Sequence, residues 1–404
     1  MTTSDSIQTA APDPEHLRVA LIDTLHRFHM IRSPQVEAAF RAVPRHLFLP
    51  GVDLDTAYAS QVVVTKRTAG GSAVSSASHP LVVASMLEQL DVQPGHRVLE
   101  IGAGTGINAA LLQELTGPTG HVTTIDIDID VTEGARAGLA AAGYPQVEVI
   151  CGDGADGHAP GAPYDRIIVT AGAWDLAPAW WRQLAAGGRL VVPLRLHGSD
   201  LTRSIAFDNQ IDRMVSASAH VCGFVPLLGS TAHAGHSLSL ADDVTLRLPA
   251  GSPDEEALGL ALTSPAHERW TGILVSDEQP IEHLDLWLAT TSGGFVRLFA
   301  GPHARENGVA DPARRWAGAA IHTGGTLAYI TRREVDGGKA ELGVTAHGPD
   351  SQRLAGQLAE HLHVWDHQRP TAPLITAHPA GTPDDQLSPG HRIERPSARL
   401  TLAW

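Results

Sequence analysis

The chain has 404 residues, 43% hydrophobic and 18% charged, which suits a globular protein long enough for two or three domains. Its 44 acidic residues outnumber 29 basic ones and leave a net charge of −15, which argues against nucleic acid or an anionic membrane surface as a partner. Two cysteines, Cys151 and Cys222, exclude a disulfide scaffold or a thiolate zinc cluster, and no apolar run reaches the roughly 18 residues of a membrane span. The polar start, Met1 to Glu15, lacks the basic-then-apolar order of a signal peptide, so the expected location is the cytoplasm.

Residues 1–16 read as a disordered lead-in. Leu17 to His29 has helical spacing, with Leu17, Leu21, Leu25 and Phe28 on one stripe. Ser33 then caps a second helix that begins at Pro34 and ends at Val43-Pro44. From Arg97 the rhythm changes to short apolar strands alternating with helices. Strands are expected over Arg97–Ile101, His121–Ile127, Val147–Ile150, Asp165–Val169 and Arg189–Val192. Helices are expected over Asn108–Leu115, Glu133–Ala142 and Ala177–Leu184. This α/β alternation predicts a Rossmann-like parallel sheet, with ligands at the carboxyl ends of its strands. Ser204–Phe207 and Val215–Phe224 add strands at one side. The small polar stretch 230–236 reads as a linker. Residues 237–404 read as an α+β C-terminal domain, with strands over Leu327–Arg332, Glu341–Thr345 and Leu400–Trp404 and helices over Pro253–Leu262 and Ser351–His363.

Three strand ends predict one cofactor site. The first strand runs through Glu100 into Gly102-Ala103-Gly104-Thr105-Gly106, a turn that lets backbone approach a ligand at a helix N-terminus. Ile107 stands where the dinucleotide fingerprint needs its third glycine, and Glu100 would repel a diphosphate. Asp126, at the end of the second strand, can accept both hydroxyls of a ribose, and Asp153, followed by Gly154, can accept from an exocyclic adenine amine. Each acid taken singly is more often a loop cap. Together they suit a nucleoside that carries positive charge and no phosphate, which points to S-adenosylmethionine and a methyltransferase. No H-E-x-x-H motif or cysteine pair asks for a metal, and His361, His363 and His367 are read as surface histidines.

Gly152-Asp153-Gly154, Pro163-Tyr164-Asp165-Arg166-Ile167-Ile168-Val169 and Gly187-Gly188-Arg189-Leu190-Val191-Val192-Pro193 closely resemble the protein-L-isoaspartate O-methyltransferase family. Val43-Pro44-Arg45-His46-Leu47-Phe48 and Phe224-Val225-Pro226-Leu227 extend the likeness, which covers about residues 17–229. The resemblance implies an S-adenosylmethionine-dependent methyltransferase domain that methylates a carboxylate, with S-adenosylhomocysteine as product. The family's T-I-S-x-P signature matches Ser76-Ala77-Ser78-His79-Pro80. By resemblance Ser78 is the active-site serine and Ser76 lines the cofactor. Ala77, His79 and an insertion-like Lys66–Ser75 segment depart from the family pattern. Ser78 also stands where a helix cap before Pro80 would.

The 168 residues after the linker carry 21 acidic and 14 basic residues, so a peptide or protein is the expected partner there. The extended chain resembles long family members associated with ribosomally made peptides of the lanthipeptide and graspetide kinds. The resemblance implies methylation of an Asp in a modified, macrocyclic precursor, followed by closure to an aspartimide and opening to isoaspartate. General repair of isoaspartyl proteins is the alternative. A small-molecule methyltransferase and a non-catalytic peptide-binding module are further readings, and the presence of Ser78 and Asp153 counts against the last.

Overall fold

The protein is described from a computed structural model, which covers residues 13–404 apart from residues 234, 253, 277–280, 315–316 and 336. Most of the expected lead-in and one residue of the expected helix at 253–262 lie outside the described residues. Two compact units are distinguished. One comprises residues 1–193, 204–218 and 222–232, the other residues 194–203, 219–221 and 233–404.

In the first unit, helix α1 spans Pro14–Arg27, three residues earlier than expected. Asp13 accepts from the Glu15 amide and Pro14 opens the helix, the same punctuation that Ser33 and Pro34 give α2 (Pro34–Ala42). After a 3-10 turn at Arg45–Phe48 and the short α3 (Leu54–Tyr58) comes a feature the sequence reading missed. The insertion-like segment is a hairpin, β1 (Val63–Arg67) against β2 (Ala73–Ala77), with Val64 opposite Ser76. Helix α4 (Pro80–Leu90) follows.

The alternating region is β3 (Arg97–Ile101), α5 (Ile107–Thr116), β4 (His121–Asp126), α6 (Ile129–Ala141), β5 (Glu148–Cys151), β6 (Tyr164–Val169), α7 (Pro178–Gln183), β7 (Leu184–His197), β8 (Leu201–Asn209) and β9 (Met214–Val221). Helix α6 starts four residues before the expectation because Asp128 caps it, accepting from the amides of Asp130 and Val131. The unit's strands lie in the order β9-β8-β7-β6-β3-β4-β5, and the five from β7 to β5 are parallel. Val98, Leu99, Ile167, Val191 and Val192 are fully buried, as befits strands with both faces covered. The chain moves outward from β3 to β4 and β5, then crosses to β6 on the other side. That reversal opens a crevice at the carboxyl ends of β3 and β6. Val98, Val122 and Ile168 share one core with Leu21, Phe40, Leu87 and Leu111 of α1, α2, α4 and α5.

The second unit is richer in strands than expected. Its elements are β10 (His236–Ala241), β11 (Val244–Leu248), α8 (Glu255–Gly259), β12 (His267–Val275), α9 (Leu284–Thr291), β13 (Phe295–Ala300), α10 (Pro302–Glu306), β14 (Gly318–Thr323), β15 (Thr326–Val335), β16 (Lys339–His347), α11 (Ser351–Gln368), β17 (Leu374–Pro379), β18 (His391–Glu394) and β19 (Ala398–Ala403). Seven of these strands form an antiparallel sheet in the order β10-β11-β13-β14-β15-β16-β12, and α11 packs on β12, β15 and β16. The expected helix after Ser252 is only Glu255–Gly259 and a 3-10 turn at Ala261–Thr263. Strands β18, β19 and β17 make a further antiparallel set. Arg203, 1% exposed, pairs with the buried Asp285.

Glu88 of α4 fixes the turn between α1 and α2. One of its carboxylate oxygens accepts from the Arg32 and Ser33 amides at 2.8 and 2.9 Å and from the Ser33 hydroxyl at 2.9 Å. Glu88→Ala is expected to destabilise the first unit by about 2 kcal/mol, since hydrogen bonds to a charged group contribute roughly 1.5–3 kcal/mol. Glu88→Gln should retain part of that. Denaturant midpoints of the three proteins check this, and an unchanged Glu88→Ala midpoint would refute it.

Candidate active site

The turn after β3 brings backbone rather than side chains to the crevice. Gly102 and Gly104 adopt φ of +100° and +50°, and a Cβ on Gly102 would stand 2.5 Å from the Thr170 hydroxyl. That hydroxyl donates to the Gly102 carbonyl at 2.7 Å and ties the turn to the end of β6. Gly106 is not among the residues that line the cavity. It precedes α5 at φ +89°, and a Cβ there would press on Ala135 and Leu139 at 3.2 Å.

Of the three predicted acids, two line the cavity beneath this turn, Glu100 and Asp126. Glu100 is fully buried and accepts from the Asn108 amide at 2.7 Å and the Thr124 hydroxyl at 2.6 Å. Burial pushes its carboxyl up to about 7, against the pull of those two donors. Asp126 accepts from the Gly104 amide at 3.1 Å and the Asp128 amide at 3.2 Å, and burial raises its carboxyl too. Asp153 is not among the lining residues. Its two oxygens accept from the amides of Ala155 at 2.9 Å and Ser230 at 2.7 Å. Burial opposes ionisation there, but the bonds from Ser230 and Ala155 hold its carboxyl below the usual range. Asp153 thus anchors the segment after Leu228, while Gly154 lines the cavity, packed so closely that a Cβ would meet Ile101 at 2.4 Å.

Ser76 and Ser78 both line the cavity, Ser76 from strand β2 and Ser78 just past its end. The cap of α4 is His79, not Ser78: its Nδ1 accepts from the Leu81 amide at 3.3 Å, which leaves the Ser78 hydroxyl outside that role. Both serines also line a second cavity, with Val62, His79, Val82, Gly223, Phe224 and Val225. Sequence reasoning missed several parts of this site. Lys66 of the hairpin bonds Asp128 at 2.6 Å and Asp130 at 2.7 Å, clamping β1 to the segment after Asp126. Phe224 was expected at the end of a strand. Strand β9 stops at Val221, and Phe224–Leu228 forms a wall of the first cavity. That wall is held to the end of β6 by bonds from the Gly172 amide to Val225 and from the Leu227 amide to Gly172, at 2.8 and 3.0 Å. Asn108 had no signal beyond its place in the first turn of α5, one helical turn from the glycines.

The donor set fits S-adenosylmethionine. The first cavity has a buried acid, Glu100, a half-buried one, Asp126, apolar walls at Ile101, Ile125, Ile127 and Phe224, and no lysine or arginine among its lining residues. A cationic nucleoside is welcome there and a diphosphate is not. On the sequence expectation, Asp126 would accept from the ribose and Glu100 would hold positive charge nearby.

Parallel strands in this order, with acids and a glycine turn at the switch point, define an S-adenosylmethionine-dependent methyltransferase of Rossmann-like fold. The family model for protein-L-isoaspartate(D-aspartate) O-methyltransferase matches residues 16–232, and the chain belongs to that family. It is therefore a carboxyl O-methyltransferase. A protein-L-isoaspartate O-methyltransferase of Methanopyrus kandleri is 40% identical over 215 residues, 52% of this chain and 91% of that protein. Protein-L-isoaspartate O-methyltransferase 1 of Rhodopseudomonas palustris is 41% identical over 204 residues, 49% of this chain and 78% of that one. A solved protein-L-isoaspartate O-methyltransferase structure superposes with a TM-score of 0.51 at 23% identity, covering 89% of this chain and 96% of its own, which is a likeness of fold. Among the described residues no helix is long and apolar enough to cross a membrane.

The raised Glu100 carboxyl gives the site a pH signature. A cation stabilises the ionised form, so binding below pH 7 must expel a proton, and affinity for S-adenosylmethionine should fall as pH drops through about 7. Calorimetry in buffers of different ionisation enthalpy should show this proton release, and Glu100→Gln should abolish it. Asp126→Ala should weaken binding by about tenfold or more. A proton balance indifferent to Glu100→Gln would remove Glu100 from the cofactor site.

Proposed function

We propose that the chain methylates the carboxylate of an isoaspartyl residue in a peptide or protein, with Ser78 orienting that carboxylate. The observation that carries this is the meeting of two cavities at Ser76 and Ser78, one rich in acid and suited to the methyl donor, the other uncharged in its lining. S-adenosylmethionine supplies an electrophilic methyl group when bound. Little is left for the chain itself to do, because a carboxylate is already a nucleophile at neutral pH. Ser78 donates to the acceptor and fixes its angle of approach. Ser76, on the same strand edge, separates the two ligands. The Phe224–Leu228 wall, common to both cavities through Phe224 and Val225, keeps water from the reacting atoms.

A second reading takes up the serine-rich run before Pro80, with Ser75, Ser76 and Ser78, which resembles that of the long family members. In it the acceptor is an Asp side chain of a modified, ring-containing ribosomal peptide. Methylation replaces a poor leaving group with methoxide, the next backbone N–H closes an aspartimide, and the second unit holds the precursor and raises its local concentration. The fold likeness to a solved isoaspartate methyltransferase spans most of this chain, so the added unit is not by itself a mark of a biosynthetic enzyme.

Three acceptors separate the readings: a linear isoaspartyl peptide, the same peptide with Asp, and a ring-containing Asp peptide. The first reading expects a one-methyl mass gain on the isoaspartyl peptide alone. Efficient labelling of the ring-containing Asp peptide, followed by loss of methanol, would select the second. In either case Ser78→Ala should lower the single-turnover rate by about tenfold or more while cofactor affinity stays within about twofold. An unaltered rate would take Ser78 out of the acceptor site.

A further inference from the structure

The second cavity poses an electrostatic problem. A carboxylate placed among Val62, Val82, Phe224 and the two serines gives up much of its hydration, and no charged side chain lines the space. The cation that answers it lies one layer back. Arg45, from the Val-Pro-Arg segment, is 6% exposed. Its Nε donates to the Ala57 carbonyl at 2.8 Å and its Nη2 to the Ser78 carbonyl at 3.2 Å.

Arg45 stands apart from other buried arginines of this protein. Arg203 pairs with Asp285 and Arg195 with Asp200. Among the described residues no carboxylate lies within 4.0 Å of Arg45, and the ionisable group that favours its charge is the Tyr58 hydroxyl. Burial lowers its pKa to about 10, so it stays charged at neutral pH. His79 cannot supply that charge, because burial and the Arg45 cation both hold its ring below the usual range and its Nδ1 is taken by the Leu81 amide. A buried cation held by neutral carbonyls with no opposite charge beside it is a costly arrangement, and its natural resolution is an opposite charge that arrives with a ligand.

We propose that Arg45 is a positioning residue for the acceptor: it grips the Ser78 backbone from behind and supplies the fixed positive charge that the incoming carboxylate neutralises. This rests on the reading of Ser78 as the acceptor-side serine. The chemistry then dictates where the effect appears. As the carboxylate becomes an ester its negative charge disappears, so a fixed cation favours the bound carboxylate at least as much as the transition state. Arg45 therefore acts on acceptor affinity, and hence on KM, and adds little to kcat.

The test uses the full chain and whichever carboxylate peptide it methylates, with S-adenosylhomocysteine as the probe for an intact cofactor site. Arg45→Gln should raise peptide KM by about tenfold or more and change kcat by less than about threefold, with S-adenosylhomocysteine affinity unchanged. Arg45→Lys should recover most of the KM. The wild-type protein provides a measurement free of folding effects: saturated with S-adenosylhomocysteine, it should bind the carboxylate peptide about tenfold more tightly than the same peptide carrying a neutral primary amide. Equal binding of the two peptides, or an Arg45→Gln protein that loses kcat with KM intact, would overturn the proposal and leave Arg45 a structural brace. The reading of Ser78 fails separately, by an unaltered Ser78→Ala rate.

Discussion

A buried carboxylate sits under the turn that does the binding, and much of the first unit is arranged around that fact. Glu100 lies next to the last residue of a strand whose neighbours on both sides are parallel and covered, so water cannot hold its charge. Thr124 from β4 and Asn108 from α5 do so instead, at 2.6 and 2.7 Å. Those bonds require β3, β4 and α5 to be in register before the site exists. The glycines that follow depend on the same frame, because their positive φ angles and the Thr170 bond bring backbone to the ligand without a side chain between. The cofactor site is thus a property of the sheet, not of any one loop.

How much of this was legible in the sequence varies with how local each determinant is. β3 is read to the residue, since its apolar run is bounded by a charge and a glycine turn. The helices after β3 and β4 are read within a few residues, because caps and periodicity are local signals. Strand β7 was expected over Arg189–Val192 and runs over Leu184–His197: Leu184 already pairs with Tyr164 of β6, and a register shift takes up Gly187-Gly188 before Arg189 pairs with Arg166. In the second unit β13 reads Phe-Val-Arg-Leu-Phe-Ala, buried almost throughout, and a strand covered on both faces has no alternation to betray it. The site shows the same division. Gly102, Gly104, Glu100 and Asp126 announce themselves by position at a strand end. The role of Asp153 is decided by Ser230, 77 residues further on, and no local pattern contains that bond.

The hairpin β1–β2 shows how an apparent insertion becomes part of a site. Its second strand carries Ser76 and leads into Ser78, so its placement sets where the two cavities meet. The Lys66 bonds to Asp128 and Asp130 fix the outer strand to the segment that follows Asp126. Exposed ion pairs contribute little to stability on their own, but a lysine shared by two carboxylates restricts where the hairpin can lie. Asp126 and the serines that line the cavity are thereby linked through one short path.

Donor and acceptor sides carry opposite electrostatic debts. On the donor side two carboxyls, Glu100 and Asp126, are raised by burial and stand near no lining cation. On the proposed acceptor side Arg45 is a buried cation with no carboxylate within 4.0 Å among the described residues. Swapping the ligands would place like charges together in a poorly hydrated space, where repulsion is weakly screened. On the proposed reading the arrangement sorts the two ligands before any contact specificity is exercised: a cationic nucleoside toward the strand ends, a carboxylate toward Ser78. Methyl transfer then removes one positive and one negative charge together, from the sulfonium and the carboxylate. Both products meet weaker Coulombic attraction in their cavities than the reactants did, so the same fixed charges that gather the substrates favour release of what they become.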